Sequence, residues 1–328
     1  LSELFKDMNK KVVVFSQIDS EIQARLEKQY QVVVLNPKNG DINQQIRHEV
    51  VDADAMIGAG RLLNESNLAP ATKLKIISTV SVGYDNYDVS YLNKSKIWLA
   101  NTPHVLTETT ADLAFTLLMS AARKVPSLDQ WTKNGEWKRT VAVEQFGQEV
   151  FGKTLGIIGL GHIGAAIARR GFHGFNMNIL YHNRCEKIEV AQQFNAQYRS
   201  LENLLKQSDF VVVAVDLNSE SKALIGVNEF ALMQKHAVFV NIARGSVVDE
   251  NALIEVLQNK QIFAAGLDVY QREPLQDSPL FQLNNVVTLP HIGSATIETR
   301  KKMAELAYQN LVDALEDRTP RYLVNENF

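Results

Sequence analysis

The hydrophobic positions of this chain fall into short runs separated by stretches with the spacing of amphipathic helices. VVVF (12–15), VVVL (32–35), AMIG (55–58) and KIIST (75–79) make a first set, with helical segments such as EIQARLEKQ between them. TLGIIG (154–159), MNILY (177–181), FVVVAV (210–215), AVFVNI (237–242), FAAGLDV (263–269) and NVVTLP (285–290) make a second, with crossovers such as ENALIEVLQ (250–258). Continuous β-branched runs alternating with helices predict parallel strands covered on both faces. Six strands in the second set predict a doubly wound sheet.

Two longer stretches stand apart. TETTADLAFTLLMSAARK (107–124) is apolar on more than one face and opens at Thr107, an expected N-cap. So apolar a helix is expected to be buried between domains or subunits. TIETRKKMAELAYQNLVDALEDR (296–318) follows the last strand of the second set and is expected to return to the first domain. The pattern predicts an α/β chain. A doubly wound parallel (Rossmann) domain spans 105–291, and a smaller, discontinuous, flavodoxin-like α/β domain combines 1–104 with 292–328.

Composition narrows the class. At 328 residues the chain has room for two such domains, and 45% hydrophobic with 22% charged residues is ordinary for a globular protein. A net charge of −3 gives no basic field for nucleic acid. The single cysteine excludes an intramolecular disulfide framework and suits a reducing compartment. No apolar run approaches the roughly 18 residues of a membrane span, and the first residues lack a secretory apolar core. A cytoplasmic protein without a membrane partner is expected. Met8, followed by NKKVVVF, is the expected natural start, with residues 1–7 an extension.

GLGHIG (159–164) is a G-x-G-x-x-G between the strand TLGII and the helix HIGAAIARRG. Gly159 permits a tight turn, Gly161 lets backbone approach a pyrophosphate, and Gly164 allows close helix–strand packing. The helix N-terminus supplies N–H groups and positive potential to a diphosphate, and His162 is placed to flank it. About 20 residues on, where an NAD site carries Asp or Glu for the ribose hydroxyls, ILYHNRCEK offers Asn183 and Arg184. Asn183 can donate to a 2′-phosphate and Arg184 can pair with it. NADP(H) is therefore the expected preference, with NAD(H) usable. His182 and Cys185 in the same stretch have no partners at metal-ligand spacing, and no metal site is expected.

In a doubly wound sheet, ligands sit beyond the carboxyl ends of the strands. Arg244 follows AVFVNI, Asp268 and Glu273 follow FAAGL, and His291 follows VVTLP. This set suits carbonyl reduction. A histidine gives the alkoxide its proton, a carboxylate against its other ring nitrogen orients it, and an arginine polarises the carbonyl and holds a substrate carboxylate. Each residue alone has a structural reading; their clustering after successive strands favours chemistry.

STVSVGYDNYDV, TPHVLTETTADLA, GIIGLGHIG, NIARGSVVDENAL, AAGLDVYQREPL and LPHIGSATIETR together resemble the D-isomer-specific 2-hydroxyacid dehydrogenases, from about Lys75 to Leu311. Within that family the likeness points to the bacterial glyoxylate/hydroxypyruvate reductases that also reduce 2-ketogluconate. The resemblance implies Arg244, Glu273 and His291 as the catalytic triad. It also implies substrate contacts from the backbone N–H groups of Val82 and Gly83, with Ser294, Arg244 and His291. It implies dinucleotide contacts at Thr107, Gly159, Gly161, His162, Ile163, Gly164, Asn183, Arg184, Asp216, Ile242, Asp268 and Gly293, with Asp268 at the nicotinamide carboxamide. The smaller domain is then the substrate-binding one, the substrate a small 2-keto acid, and the assembly a homodimer into which the 107–124 helix reaches. Asp216 departs from the family, which usually has proline there. An acid facing the ribose would bond its hydroxyls and oppose NADP(H); one facing away would do neither.

Two alternatives carry the same motifs. A dinucleotide-sensing binding protein keeps the triad without turnover, and another dehydrogenase of this fold, acting on phosphite or a D-lactate-like substrate, shares the scaffold. Formate dehydrogenases of the fold carry glutamine in place of the glutamate, which Glu273 opposes.

Overall fold

The structure, a computed structural model, describes residues 9–325, so the expected start at Met8 lies outside it. The chain divides into two compact units. One runs from Thr107 to Ser294; the other joins the residues up to Leu106 with those from Ala295.

In the second of these, β1 (Lys11–Val14), β2 (Gln31–Val34), β3 (Ala55–Gly58), β4 (Ile76–Thr79) and β5 (Trp98–Ala100) form a parallel sheet in the order β2-β1-β3-β4-β5, the flavodoxin-like arrangement. The first four match apolar runs. β5 does not, because a strand of three residues, WLA, is too short to show a period. The helix Ile297–Leu315 packs on β3 and β4, with Ala304, Ala307, Leu311 and Leu315 in one cluster with Val12, Val14, Ile57 and Ile76.

The other unit holds β6 (Thr154–Ile158), β7 (Asn178–His182), β8 (Gln197–Tyr198), β9 (Phe210–Val213), β10 (Val238–Asn241), β11 (Ala264–Leu267) and β12 (Val286–Thr288). All pair parallel, in the order β12-β11-β10-β9-β6-β7-β8. This is the doubly wound arrangement, with one strand more than six runs predicted. The extra strand, β8, is two residues long at the sheet edge and carries no apolar run. The winding direction reverses between β6 and β9, so the loops at their carboxyl ends frame the place where such sheets bind ligands.

The helix Thr107–Ala122 buries apolar residues inside this unit, against β10, β11 and the helix His162–Phe175. Ala111, Ala114, Leu117, Leu118 and Ala121 are all buried there. Gly266 of β11 makes the approach possible, since a Cβ on it would lie 2.9 Å from the Leu117 Cβ. Thr107 is the first residue of the helix rather than the residue capping it.

Candidate active site

The glycine loop leaves β6 at Gly159, whose φ of +102° is one that residues with a side chain rarely adopt. The Gly159 N–H donates to the His182 carbonyl at 2.9 Å, and the Leu160 N–H donates to Asn183 Oδ1 at 2.5 Å. The end of β7 thus holds the loop in shape. A Cβ on Gly164 would sit 2.0 Å from the Gly159 carbonyl oxygen, so only glycine lets the helix His162–Phe175 start this close to the strand. Gly161, the N-cap, has nothing within 4 Å of its Cβ direction and offers no capping side chain. Open space against uncapped helix N–H groups fits a diphosphate. His162 is exposed and Ile163 half-buried at the same helix start.

At the end of β7 the side chains divide their work. With Asn183 Oδ1 bonded to the loop, its Nδ2 is the group left to donate outward. Arg184 is exposed and pairs with Glu220 at 2.8 Å. Asp216 is also exposed, in a turn where Asn218 Oδ1 accepts from the Glu220 and Ser221 N–H groups, and the Ser221 hydroxyl donates to the Asp216 carbonyl at 2.6 Å. His182 Nδ1 lies 3.0 Å from the Arg199 carbonyl, and Cys185 is exposed.

The strand ends of β10, β11 and β12 bring the three expected polar residues into one neighbourhood. His291 Nδ1 is 2.6 Å from Glu273 Oε2, while Glu273 Oε1 accepts from the Tyr270 N–H at 2.9 Å. Burial pushes the Glu273 carboxyl up. The bond to His291, the Tyr270 N–H and the charges of His291 and Arg244 outweigh this and hold it below its ordinary value of 4.5. A charged carboxylate at 2.6 Å requires Nδ1 to donate, which leaves Nε2 to exchange protons. His291 itself sits at φ +54°, an uncommon left-handed conformation for a side-chain-bearing residue. The pair borders a cavity of ≈ 440 Å³ whose walls include Pro274, Leu275, Phe281 and Leu289, so a small molecule can reach the ring.

Arg244 is half-buried, with Nη1 donating to the Ala243 carbonyl at 2.9 Å. The next residue explains its closeness to Glu273. A Cβ on Gly245 would lie 1.8 Å from the Tyr270 carbonyl carbon, so only glycine lets the two loops touch.

Asp268 is 1% exposed. Its oxygens accept from the N–H groups of Ile292 at 2.7 Å and Gly293 at 2.8 Å. Burial raises its pKa against the opposing pull of those bonds. The Thr110 hydroxyl donates to the Gly293 carbonyl at 3.0 Å, tying the helix Thr107–Ala122 to the loop after His291. Ile242 is buried just past β10, while Thr107 and Ser294 are half-buried.

Val82 and Gly83 belong to the other unit, in the loop after β4. The Val82 carbonyl accepts from Asn101 Nδ2 at 2.8 Å, and the Gly83 carbonyl from the Ser81 hydroxyl at 2.7 Å. Three supporting residues have roles that the sequence pattern does not mark. Tyr270 carries the N–H that holds Glu273, and its hydroxyl donates to the Leu289 carbonyl at 2.9 Å. Asn101 holds Val82, and Glu220 pairs with Arg184. The sequence signals for them are position alone: Tyr270 lies within LDVYQREP, Asn101 beside TPHVLT, and Glu220 four residues after Asp216.

The chain resembles known proteins over nearly its whole length. A family model for the NAD binding domain of D-isomer specific 2-hydroxyacid dehydrogenases matches residues 115–293. Glyoxylate/hydroxypyruvate reductase B of Enterobacter sp. (strain 638) is 44% identical over 319 residues, covering 97% of this chain and 98% of that protein. Its Escherichia coli (strain K12) counterpart is 44% identical over 322 residues, with the same coverage. Among solved structures, the NADPH-dependent glyoxylate/hydroxypyruvate reductase of Sinorhizobium meliloti, in complex with NADP and malonate, superposes with a TM-score of 0.85 at 31% identity, covering 96% of this chain and 97% of that one. A glyoxylate reductase from Paecilomyes thermophila gives a TM-score of 0.86 at 31% identity over 96% and 98%.

Proposed function

We propose that this chain, which belongs to the D-isomer specific 2-hydroxyacid dehydrogenases, reduces a small 2-keto acid to the D-2-hydroxy acid with NADP(H) preferred over NAD(H). The observation that carries the reading is the hydrogen-bonded Glu273–His291 pair, with the Arg244 charge acting on it, at the strand ends of a sheet with a diphosphate cradle. Glyoxylate, hydroxypyruvate and 2-ketogluconate are the expected substrates, in keeping with the names of the relatives.

The bound dinucleotide supplies the hydride. Arg244 holds the substrate carboxylate and polarises the keto oxygen. His291 releases a proton from Nε2 to that oxygen as it becomes a hydroxyl, and takes it back in the reverse direction. Glu273 keeps the ring oriented through Nδ1. The Val82 and Gly83 N–H groups are further carboxylate donors, which makes the unit holding them the substrate-binding domain, and Ser294 adds a polar contact. Thr107, His162, Ile163, Ile242, Asp268 and Gly293 complete the dinucleotide site, with Asp268 toward the carboxamide.

We take the working form to be a cytoplasmic homodimer. The homodimer is supported by the concentration of exposed apolar side chains within 125–151, among them Trp137, Val143, Phe146 and Phe151, which a second copy would cover. A steady-state panel of the three keto acids with NADPH and NADH tests the reading. Saturable turnover with at least one of them supports it. Dinucleotide binding without turnover of any 2-keto acid would instead identify a dinucleotide-sensing protein.

A further inference from the structure

Arg184 does not wait alone at the end of β7. Its Nη1 lies 2.8 Å from Glu220 Oε2, on a turn that follows β9 and is 36 residues away in sequence. That turn is built to keep the carboxylate there. Asn218 Oδ1 accepts from the Glu220 and Ser221 N–H groups, and Ser221, 6% exposed, fastens the turn to the Asp216 carbonyl. Both charged side chains are well exposed, 76% for Arg184 and 64% for Glu220. An ion pair of this kind is weak, and a phosphate dianion is a stronger partner for guanidinium than a carboxylate. β7 and β9 flank β6 on either side of the glycine loop, so both ends of the pair border the dinucleotide cradle.

We propose that Glu220 is a cofactor-specificity residue: it occupies the arginine that a 2′-phosphate needs and so restrains the preference for NADP(H). The inference rests on the reading of Arg184 as the 2′-phosphate partner. In binding NADPH the phosphate competes with the Glu220 carboxylate for Arg184, and the nearby Glu220 charge repels the phosphate. NADH meets neither. The result is an enzyme able to use both cofactors, with its balance set by a residue outside the glycine motif and outside the β7 end.

The test is kcat/KM with NADPH and NADH for the wild-type chain, Glu220→Gln, Glu220→Asp, Arg184→Ala and the Arg184→Ala/Glu220→Gln double variant. Glu220→Gln should raise the NADPH/NADH ratio about two- to fivefold at low salt, with the gain shrinking as ionic strength rises. Glu220→Asp, which keeps the charge, should stay closer to wild type. In the Arg184→Ala background the Glu220 change should lose most of its effect, since the coupling runs through the arginine. A ratio unchanged or lowered by Glu220→Gln, while Arg184→Ala lowers it, overturns the role of Glu220 and leaves the NADP(H) reading standing. A ratio that Arg184→Ala does not move overturns the reading itself. An undiminished Glu220 effect without Arg184 overturns the proposed route.

Discussion

Glu273 Oε2 lies 2.6 Å from His291 Nδ1, joining the loops that follow β11 and β12. The contact assigns different duties to the two ring nitrogens: Nδ1 is committed to the carboxylate, and Nε2 is left for proton exchange. Removal of the ring should therefore cost more than removal of the charge that orients it. His291→Ala is expected to lower kcat by about 10²-fold or more, and Glu273→Gln, which retains a hydrogen-bond acceptor, by less. Stopped-flow or steady-state rates at saturating keto acid measure both; equal losses, or none, would contradict this division.

The Glu273 carboxyl is held below its ordinary value, which gives the pair a defined pH dependence in stability. A carboxylate with a depressed native pKa stabilises the fold above its unfolded value, and the contribution disappears as pH falls through the native value. Wild type and Glu273→Gln should differ in Tm near neutrality, and the gap should close below the ordinary carboxylate value of 4.5. Thermal melts across that range check the sign; a gap that widens on acidification would show that the pair does not stabilise the charged carboxylate.

Two glycines of the phosphate cradle, Gly161 and Gly164, are expected to fail differently. Gly164→Ala drives a methyl to within 2.0 Å of the Gly159 carbonyl, so it should destabilise the protein by roughly 1–3 kcal/mol even without ligand. At Gly161 a Cβ has no atom within 4 Å, so Gly161→Val should cost about 1 kcal/mol or less of stability. It should still abolish dinucleotide binding, because the side chain enters the space a diphosphate would take. Calorimetric binding of NADPH, paired with thermal melts, separates the two.

Asn101 supports the loop of Val82 and Gly83 through a 2.8 Å bond to the Val82 carbonyl. Asn101→Ala should raise the KM for the keto acid more than it lowers kcat, because it loosens a binding loop and leaves the proton donor intact. A loss confined to kcat would place Asn101 elsewhere in the cycle.

Replacing Asn183 by Asp and Arg184 by a neutral residue should swing preference toward NADH. An acid there meets the ribose hydroxyls and repels a 2′-phosphate. Because Asn183 Oδ1 also accepts the Leu160 N–H, the Asp variant keeps that bond and the glycine loop its shape. An unmoved NADPH/NADH ratio would reduce Arg184 to a surface charge.

The linear pattern by itself determined the two parallel sheets and the glycine turn, and it singled out Arg244, Glu273 and His291, which the fold brings into one neighbourhood. These follow from local rules: β-branched runs form covered strands, and ligand groups sit just past strand ends. The short strands β5 and β8 escaped because three residues and two carry no readable period. The apolar helix Thr107–Ala122 takes most of its cover from within its own unit, because hydrophobicity reports that a face is covered and is silent on what covers it. Only the tertiary structure decided the partners: Glu220 for Arg184, Asn101 for Val82, the Tyr270 N–H for Glu273, and Leu117 against Gly266. Each joins backbone or side-chain groups through distances and packing that the folded chain creates, and a hydrogen bond or ion pair across 19 or 36 residues leaves no periodic trace in sequence.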